Sequence, residues 1–163
     1  METKRYSLKI DLSQQKLYLQ SGSTEISNYD ISTAKNGAGE KIDSECTPCG
    51  LHIIAEKFGE DSPINTVFVG RESTGEIFNH EMYQQYPERD WILTRILRLE
   101  GTEPGRNKGG EVDTFSRMIY IHGSPDKVKM GIAGSHGCIR MHNADVIYLF
   151  DKLAHGDDVE IVE

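Results

Sequence analysis

The pattern of this 163-residue sequence predicts a mainly β domain with one or two helices. Three features carry that prediction. Short runs of alternating apolar and polar residues recur along the chain, which is the period of a half-buried strand. One stretch near the C-terminus, with Val146, Leu149, Phe150 and Leu153 on one face, repeats at helical spacing. No internal repeat, low-complexity tract or linker divides the chain, so residues 1–163 read as one domain, large enough for a core without staples.

In chain order, Tyr6, Leu8, Ile10 and Leu12 alternate with polar residues and open the first strand. Ser13-Gln14-Gln15 turns it into a hairpin with residues 16–20, and Ser21-Gly22-Ser23 turns again into a strand over 25–33. The segment 35–44, with Gly37 and Gly39 among charges, reads as a mobile surface loop. Pro48 and Gly50 lead into a strand over 51–57, and residues 66–71 read as one further strand. Residues 78–86 read either as a short helix lining a groove or as an insert whose aromatics fill core. A strand over 91–99 ends at the breaker from Glu100 to Gly105, a glycine-bearing loop covers 107–113, and a strand over 117–122 follows. Asn143 is the expected N-cap of the C-terminal helix, Gly156 its stop, and 158–162 the last strand.

The chain has 26 acidic and 18 basic residues, a formal net charge of -8 and a pI of about 5.2. That balance disfavours nucleic acid and anionic membrane surfaces as partners. No stretch approaches a membrane span, and the charged N-terminus develops no apolar leader. A cytoplasmic location is therefore expected, or a periplasmic one if a leader has been removed.

The densest chemistry lies in Gly134-Ser135-His136-Gly137-Cys138-Ile139-Arg140-Met141, preceded by Ile121-His122-Gly123. A thiol becomes a good nucleophile when it is held as a thiolate, and a nearby imidazole is the common means. His122 lies sixteen positions before Cys138, too far to be a local neighbour on one element. The fold has to bring them together, with His122 as the base that takes the thiol proton and returns it to a leaving amine. Free cysteine also occurs as a small buried hydrophobe. The polar, glycine-rich turn around Cys138 argues for the catalytic role, because it lets the backbone turn tightly and present its N–H groups. His136 alone is as readily a backbone hydrogen-bonding partner as a catalyst.

His122-Gly123 followed by Ser135-His136-Gly137-Cys138-Ile139-Arg140-Met141 resembles the signature of the YkuD-type L,D-transpeptidase family. Ser32-Thr33, the Thr47-Pro48-x-Gly50 turn and the closing run from Gly156 to Ile161 fit the same family, so the resemblance spans nearly the whole chain. It implies a β-sandwich or closed barrel and a cysteine acyl-enzyme mechanism on murein stem peptides. The bond attacked joins the L-centre of meso-diaminopimelate to a terminal D-Ala. Water as acceptor gives an L,D-carboxypeptidase suited to peptidoglycan recycling, and an amine gives a transpeptidase. The resemblance makes Cys138 the nucleophile, His122 the base, the Gly123 carbonyl the orienter of its ring and His136 a support. N–H groups around Gly137 and Cys138 become the oxyanion donors. Arg140 becomes the clamp for a substrate carboxylate, with Ser135 beside it, whereas its bland reading is a surface salt bridge. Carbapenems are implied as inhibitors and penicillins as poor ones.

Cys46 and Cys49 form a C-x-x-C that raises redox and zinc readings. No βαβ context supports the first, and a zinc site completed by Cys138 and His142 would consume the nucleophile. No metal or cofactor is expected. A carboxypeptidase, an exported transpeptidase and a non-catalytic murein-peptide binding module remain three distinct functional readings of the sequence.

Overall fold

The computed structural model describes residues 5–163; the charged segment 1–4 lies outside them. Ten strands form one sheet: β1 (Ser7–Asp11), β2 (Lys16–Ser21), β3 (Thr24–Ser32), β4 (Gly50–Phe58), β5 (Thr66–Val69), β6 (Glu72–Ile77), β7 (Ile92–Gly101), β8 (Tyr120–Gly123), β9 (Ile139–Met141) and β10 (Asp158–Val162). The order β4-β10-β1-β2-β3-β9-β8-β7 closes on itself because β7 also pairs with β4, and β5 and β6 continue the sheet beyond β7. The expected mainly β closed barrel is therefore present. It carries two helices, α1 (His80–Gln85) and α2 (Asn143–Lys152).

Alternation in the sequence becomes alternation in burial. Leu8 and Ile10, Leu17 and Leu19, and Val159 and Ile161 all point into the core. Strand β7 departs from that rule, since every residue from Leu93 to Leu99 is buried. One of its faces belongs to the barrel, and α2 also packs on it. Arg95 and Arg98 are tolerated there because each finds acceptors. Arg95 donates to the carbonyls of Ser62 and Thr94, and Arg98 to Glu56 and the carbonyl of Phe115.

Helix α2 buries Val146, Leu149 and Phe150, and its C-cap Leu153 is buried beside them, the face that the periodicity predicts. The ammonium of Lys57, on β4, donates to the carbonyls of Phe150 and Leu153 at 2.7 Å each, closing the end of the helix onto the barrel. Asn143 is not the N-cap. His142 occupies that position without a side-chain bond, and Asn143 is the first helical residue. Its amide is committed elsewhere, accepting from the Thr94 hydroxyl at 2.7 Å and donating to Asn65 at 3.0 Å. Thr94 sits at φ 75, a costly conformation for a β-branched residue, at a bulge in β7. The polar trio of Asn65, Thr94 and Asn143 holds that kink in place.

Other boundaries also differ from expectation. The strand expected over 66–71 is the hairpin of β5 and β6, turned by Gly70 and Arg71, both at positive φ. The strand expected from residue 117 begins at Tyr120, after a turn through Met118 at φ 59. Strand β9 is three residues long and pairs only because its neighbours hold it. The loop 35–44 is not a free surface loop. It is tied down by the bridge of Ala38 with Thr47, by the Ile42 N–H on the Glu111 carbonyl, and by Arg117 on the carbonyls of Gly39 and Glu40. Residues 78–86 contain the short helix α1, and Phe78, Met82 and Tyr83 fill a small core with Val67, Trp91 and Leu93, as the core-filling reading expects.

His52, buried on β4 between the Gly50 carbonyl and the Thr114 hydroxyl, has its pKa pushed down to about 4 by desolvation. The unfolded chain takes up this proton near pH 6.5, so the neutral buried ring loses ground as pH falls from 6.5 towards 4. Urea unfolding at pH 7 and pH 5 should show the wild type losing about 2 kcal/mol from this group alone. His52→Gln should lack that component of the pH slope, whatever its stability at pH 7.

Candidate active site

Strands β8 and β9 run parallel, with Ile121 opposite Ile139, His122 opposite Arg140 and Gly123 opposite Met141. Side chains alternate across a strand, so Ile121, Ile139 and Met141 enter the core while Tyr120, His122, Cys138 and Arg140 share the other face. Two residues far apart in sequence thus become neighbours through register alone. Cys138 and His122 line one cavity of about 180 Å³, together with Asp90, Arg117, Met118, Ile119, Ser135 and His136.

The imidazole of His122 is fully buried. Its Nδ1 lies 2.7 Å from the Gly123 carbonyl, which can only accept, so Nδ1 carries the proton. Nε2 is left with a lone pair and no partner among the described residues. That is the geometry of a general base held ready. Glycine is required at 123, because a Cβ there would overlap Asn143 Oδ1 and the Leu93 carbonyl. The polar trio beneath β7 is therefore also the seat of the ring's orienter.

The Cys138 sulfur accepts from the Tyr120 N–H at 3.4 Å and donates to the Met118 carbonyl at 3.5 Å. Desolvation pushes the thiol up to about 12, with the Tyr120 N–H and the charges of Arg117 and Arg140 opposing. Desolvation also lowers His122, against the pull of the Gly123 carbonyl and the Asp90 charge. At neutral pH the resting site is a neutral thiol beside a neutral imidazole. Reaching the ring requires the thiol proton to turn away from the Met118 carbonyl.

The turn that carries Cys138 is braced from several sides. Ser135 donates its hydroxyl to the Cys138 carbonyl at 2.6 Å and accepts from the Gly137 N–H at 3.2 Å. Ser135, expected at the substrate, thus braces the turn, and the Gly137 N–H has to leave its hydroxyl to meet an oxyanion. Gly137 sits at φ 136, where a Cβ would press on Ile119 and the Cys46 carbonyl. The Thr47 hydroxyl donates to the Gly137 carbonyl and accepts from the Ala34 N–H. Thr33 takes the N–H groups of Gly134 and Ser135 on its carbonyl. Arg140 donates to the Ser32 hydroxyl at 2.7 Å, and its Nε is buried without a partner. No described carboxylate forms an ion pair with it, unlike the bland reading. His136 stands exposed at the cavity's rim.

Reasoning from sequence missed Asp90 and Arg117. Asp90 sits at the end of an irregular stretch with no motif to mark it. Arg117 reads as a strand residue, yet it joins the cavity to the loop 35–44 through the carbonyls of Gly39, Glu40 and Cys46. Cys49 is buried and its thiol is raised to about 11 by desolvation, while the Cys46 sulfur rests on the carbonyls of Asn36 and Ser44.

The profile of the YkuD L,D-transpeptidase catalytic domain matches residues 5–161. The chain is 28% identical over 116 residues to the probable L,D-transpeptidase YbiS of Escherichia coli K12, covering 69% of this chain and 37% of that protein. It is 40% identical over 85 residues to the probable L,D-transpeptidase ErfK/SrfK of Salmonella typhimurium, covering 45% of this chain and 28% of that one. The chain thus spans a minority of the length of these relatives. The structure of L,D-transpeptidase 3 from Mycobacterium tuberculosis in complex with a faropenem-derived adduct superposes with a TM-score of 0.60 at 14% identity, covering 98% of this chain and 61% of that one. An L,D-transpeptidase from Mycobacterium smegmatis gives 0.58 at 17% identity, covering 98% and 59%. At these identities the two structures show a shared fold. Since the family profile covers nearly the whole chain, this protein belongs to the YkuD L,D-transpeptidase catalytic domain family.

Proposed function

We propose that this chain is a cysteine acyl-transfer enzyme that cleaves the bond between the L-centre of diaminopimelate and a terminal D-Ala in murein stem peptides, with water as acceptor. One observation carries the reading: His122, with Nδ1 fixed and Nε2 open, shares a cavity with the Cys138 thiol. The thiol proton passes to Nε2, and the sulfur forms a bond to the scissile carbonyl carbon. The resulting oxyanion is met by backbone N–H groups of the turn, Gly137 among them once it leaves Ser135. The carbon–nitrogen bond then breaks, and the proton on Nε2 goes to the departing amine of D-Ala. Water, deprotonated by the same nitrogen, cleaves the thioester and releases the tripeptide. Arg140, with hydrogen-bonding capacity beyond Ser32, supplies the clamp for a substrate carboxylate.

The purified protein incubated with a disaccharide tetrapeptide should yield tripeptide and free D-Ala, followed by mass spectrometry. Cys138→Ala should abolish this, at least a thousandfold in rate, since no other group here can form the thioester. Exchange products or cross-linked dimers in place of hydrolysis would replace the carboxypeptidase reading with transpeptidation. Unchanged turnover in the variant would remove Cys138 from the mechanism. Faropenem or a carbapenem should leave an adduct on the wild type and none on the variant.

A neutral resting pair has its own signature. Alkylation of Cys138 by iodoacetamide, read on its own peptide, should rise steadily from pH 6 to pH 9. A fast plateau across pH 5 to 8 would mean a preformed thiolate–imidazolium pair instead.

A further inference from the structure

We propose that Asp90 is a specificity-determining residue of this cavity, whose carboxylate takes a free ammonium group on the substrate while Arg140 takes the carboxylate beside it. The inference rests on the acyl-transfer reading above. It narrows the substrate class to stems whose diamino acid ends in an unmodified zwitterion.

Asp90 lines the same cavity as Cys138 and His122. Its carboxylate makes no hydrogen bond or ion pair with any described residue. The side chain is exposed, and its two chain neighbours are packed. The guanidinium of Arg89 stacks 4.3 Å above the Trp91 ring, and buried Trp91 packs edge-on against Phe78 at 5.0 Å. Asp90 is thus flanked on both sides by residues locked into the α1 insert.

Among the described residues no cation forms an ion pair with Asp90. Arg117, which lines the cavity, directs its guanidinium to the carbonyls of Gly39, Glu40 and Cys46 and to the Ser44 hydroxyl. Arg140 is near enough to feel the charge of Asp90 but forms no ion pair with it, and it is turned to Ser32. Asp90 lines the cavity and Arg140 lies behind it within electrostatic reach, and the two do not touch. Its negative charge favours the His122 imidazolium but adds to the desolvation that raises the Cys138 thiol, and it would oppose an oxyanion. A substrate cation resolves both anomalies. With the L-centre carbonyl of diaminopimelate over Cys138, a short alkyl chain leads to a second centre bearing an ammonium and a carboxylate. Those two groups match Asp90 and Arg140 in sign.

The test compares a tetrapeptide with a free diaminopimelate ammonium and the same peptide acetylated there, using wild type and Asp90→Asn. The wild type should favour the free ammonium about fivefold in kcat/KM, and the variant should lose about fivefold on that substrate alone, the scale of a partly exposed ion pair. Equal losses on both peptides, with the acid limb of the pH profile moved down, would make Asp90 a stabiliser of the His122 imidazolium and overturn the proposal, as would no loss at all. Calorimetric binding of both peptides to Cys138→Ala and to Cys138→Ala with Asp90→Asn keeps the two readings apart. If the wild type cleaves neither peptide, the acyl-transfer reading fails, and the ammonium subsite stands only if Asp90→Asn still weakens binding of the free-ammonium peptide selectively.

Discussion

The parallel pairing of β8 with β9 is the constraint on which the rest of the site depends. A register that sets His122 opposite Arg140 also sets the Cys138 turn beside Tyr120, and strand alternation then sends all four side chains to one face. A slip of one residue would turn the base into the core and the core isoleucines into the cavity. The register is held by burial, since Ile121, Ile139 and Met141 are all at 0% exposure. The hydrophobic core thus fixes the chemistry without touching it.

Placing a thiol and an imidazole against such a core has an electrostatic consequence. Desolvation disfavours both ions, pushing the Cys138 thiol up and the His122 imidazole down. The structure compensates with orientation. The Gly123 carbonyl fixes the tautomer of His122, and Gly123 itself lies so close to Asn143 and the Thr94 kink that no side chain fits there. Strain at Thr94 and the commitment of Asn143 away from helix capping have one physical result, a base whose lone pair points in a fixed direction.

The segments that bear the resemblance outside the catalytic run act on the same turn. Ser32 holds Arg140, Thr33 takes two N–H groups of the turn, and Thr47 ties the Gly137 carbonyl to the Ala34 N–H. They make the backbone around Cys138 a shared element of three loops. The ordering of the loop 35–44 follows, since it contributes the Gly39 and Glu40 carbonyls to Arg117, itself a wall of the cavity.

The sequence by itself determined the strand-rich class, the core face of α2 and the family signature over residues 134–141. Those are short-range patterns, and periodicity or a motif of consecutive residues records them directly. It left β9 unseen, because three residues pair as a strand only between neighbours supplied by distant parts of the chain. It also assigned Asn143 to a cap, since local propensity cannot register competition from Thr94 and Asn65, forty-nine and seventy-eight positions away. Asp90 and Arg117 were invisible for the same reason, as nothing adjacent in sequence marks a charge that acquires meaning only by facing a thiol across a cavity. Which groups meet, which faces of β7 are covered and which protonation state the pair rests in were decided by tertiary structure, because burial and long-range register exist only once the barrel has closed.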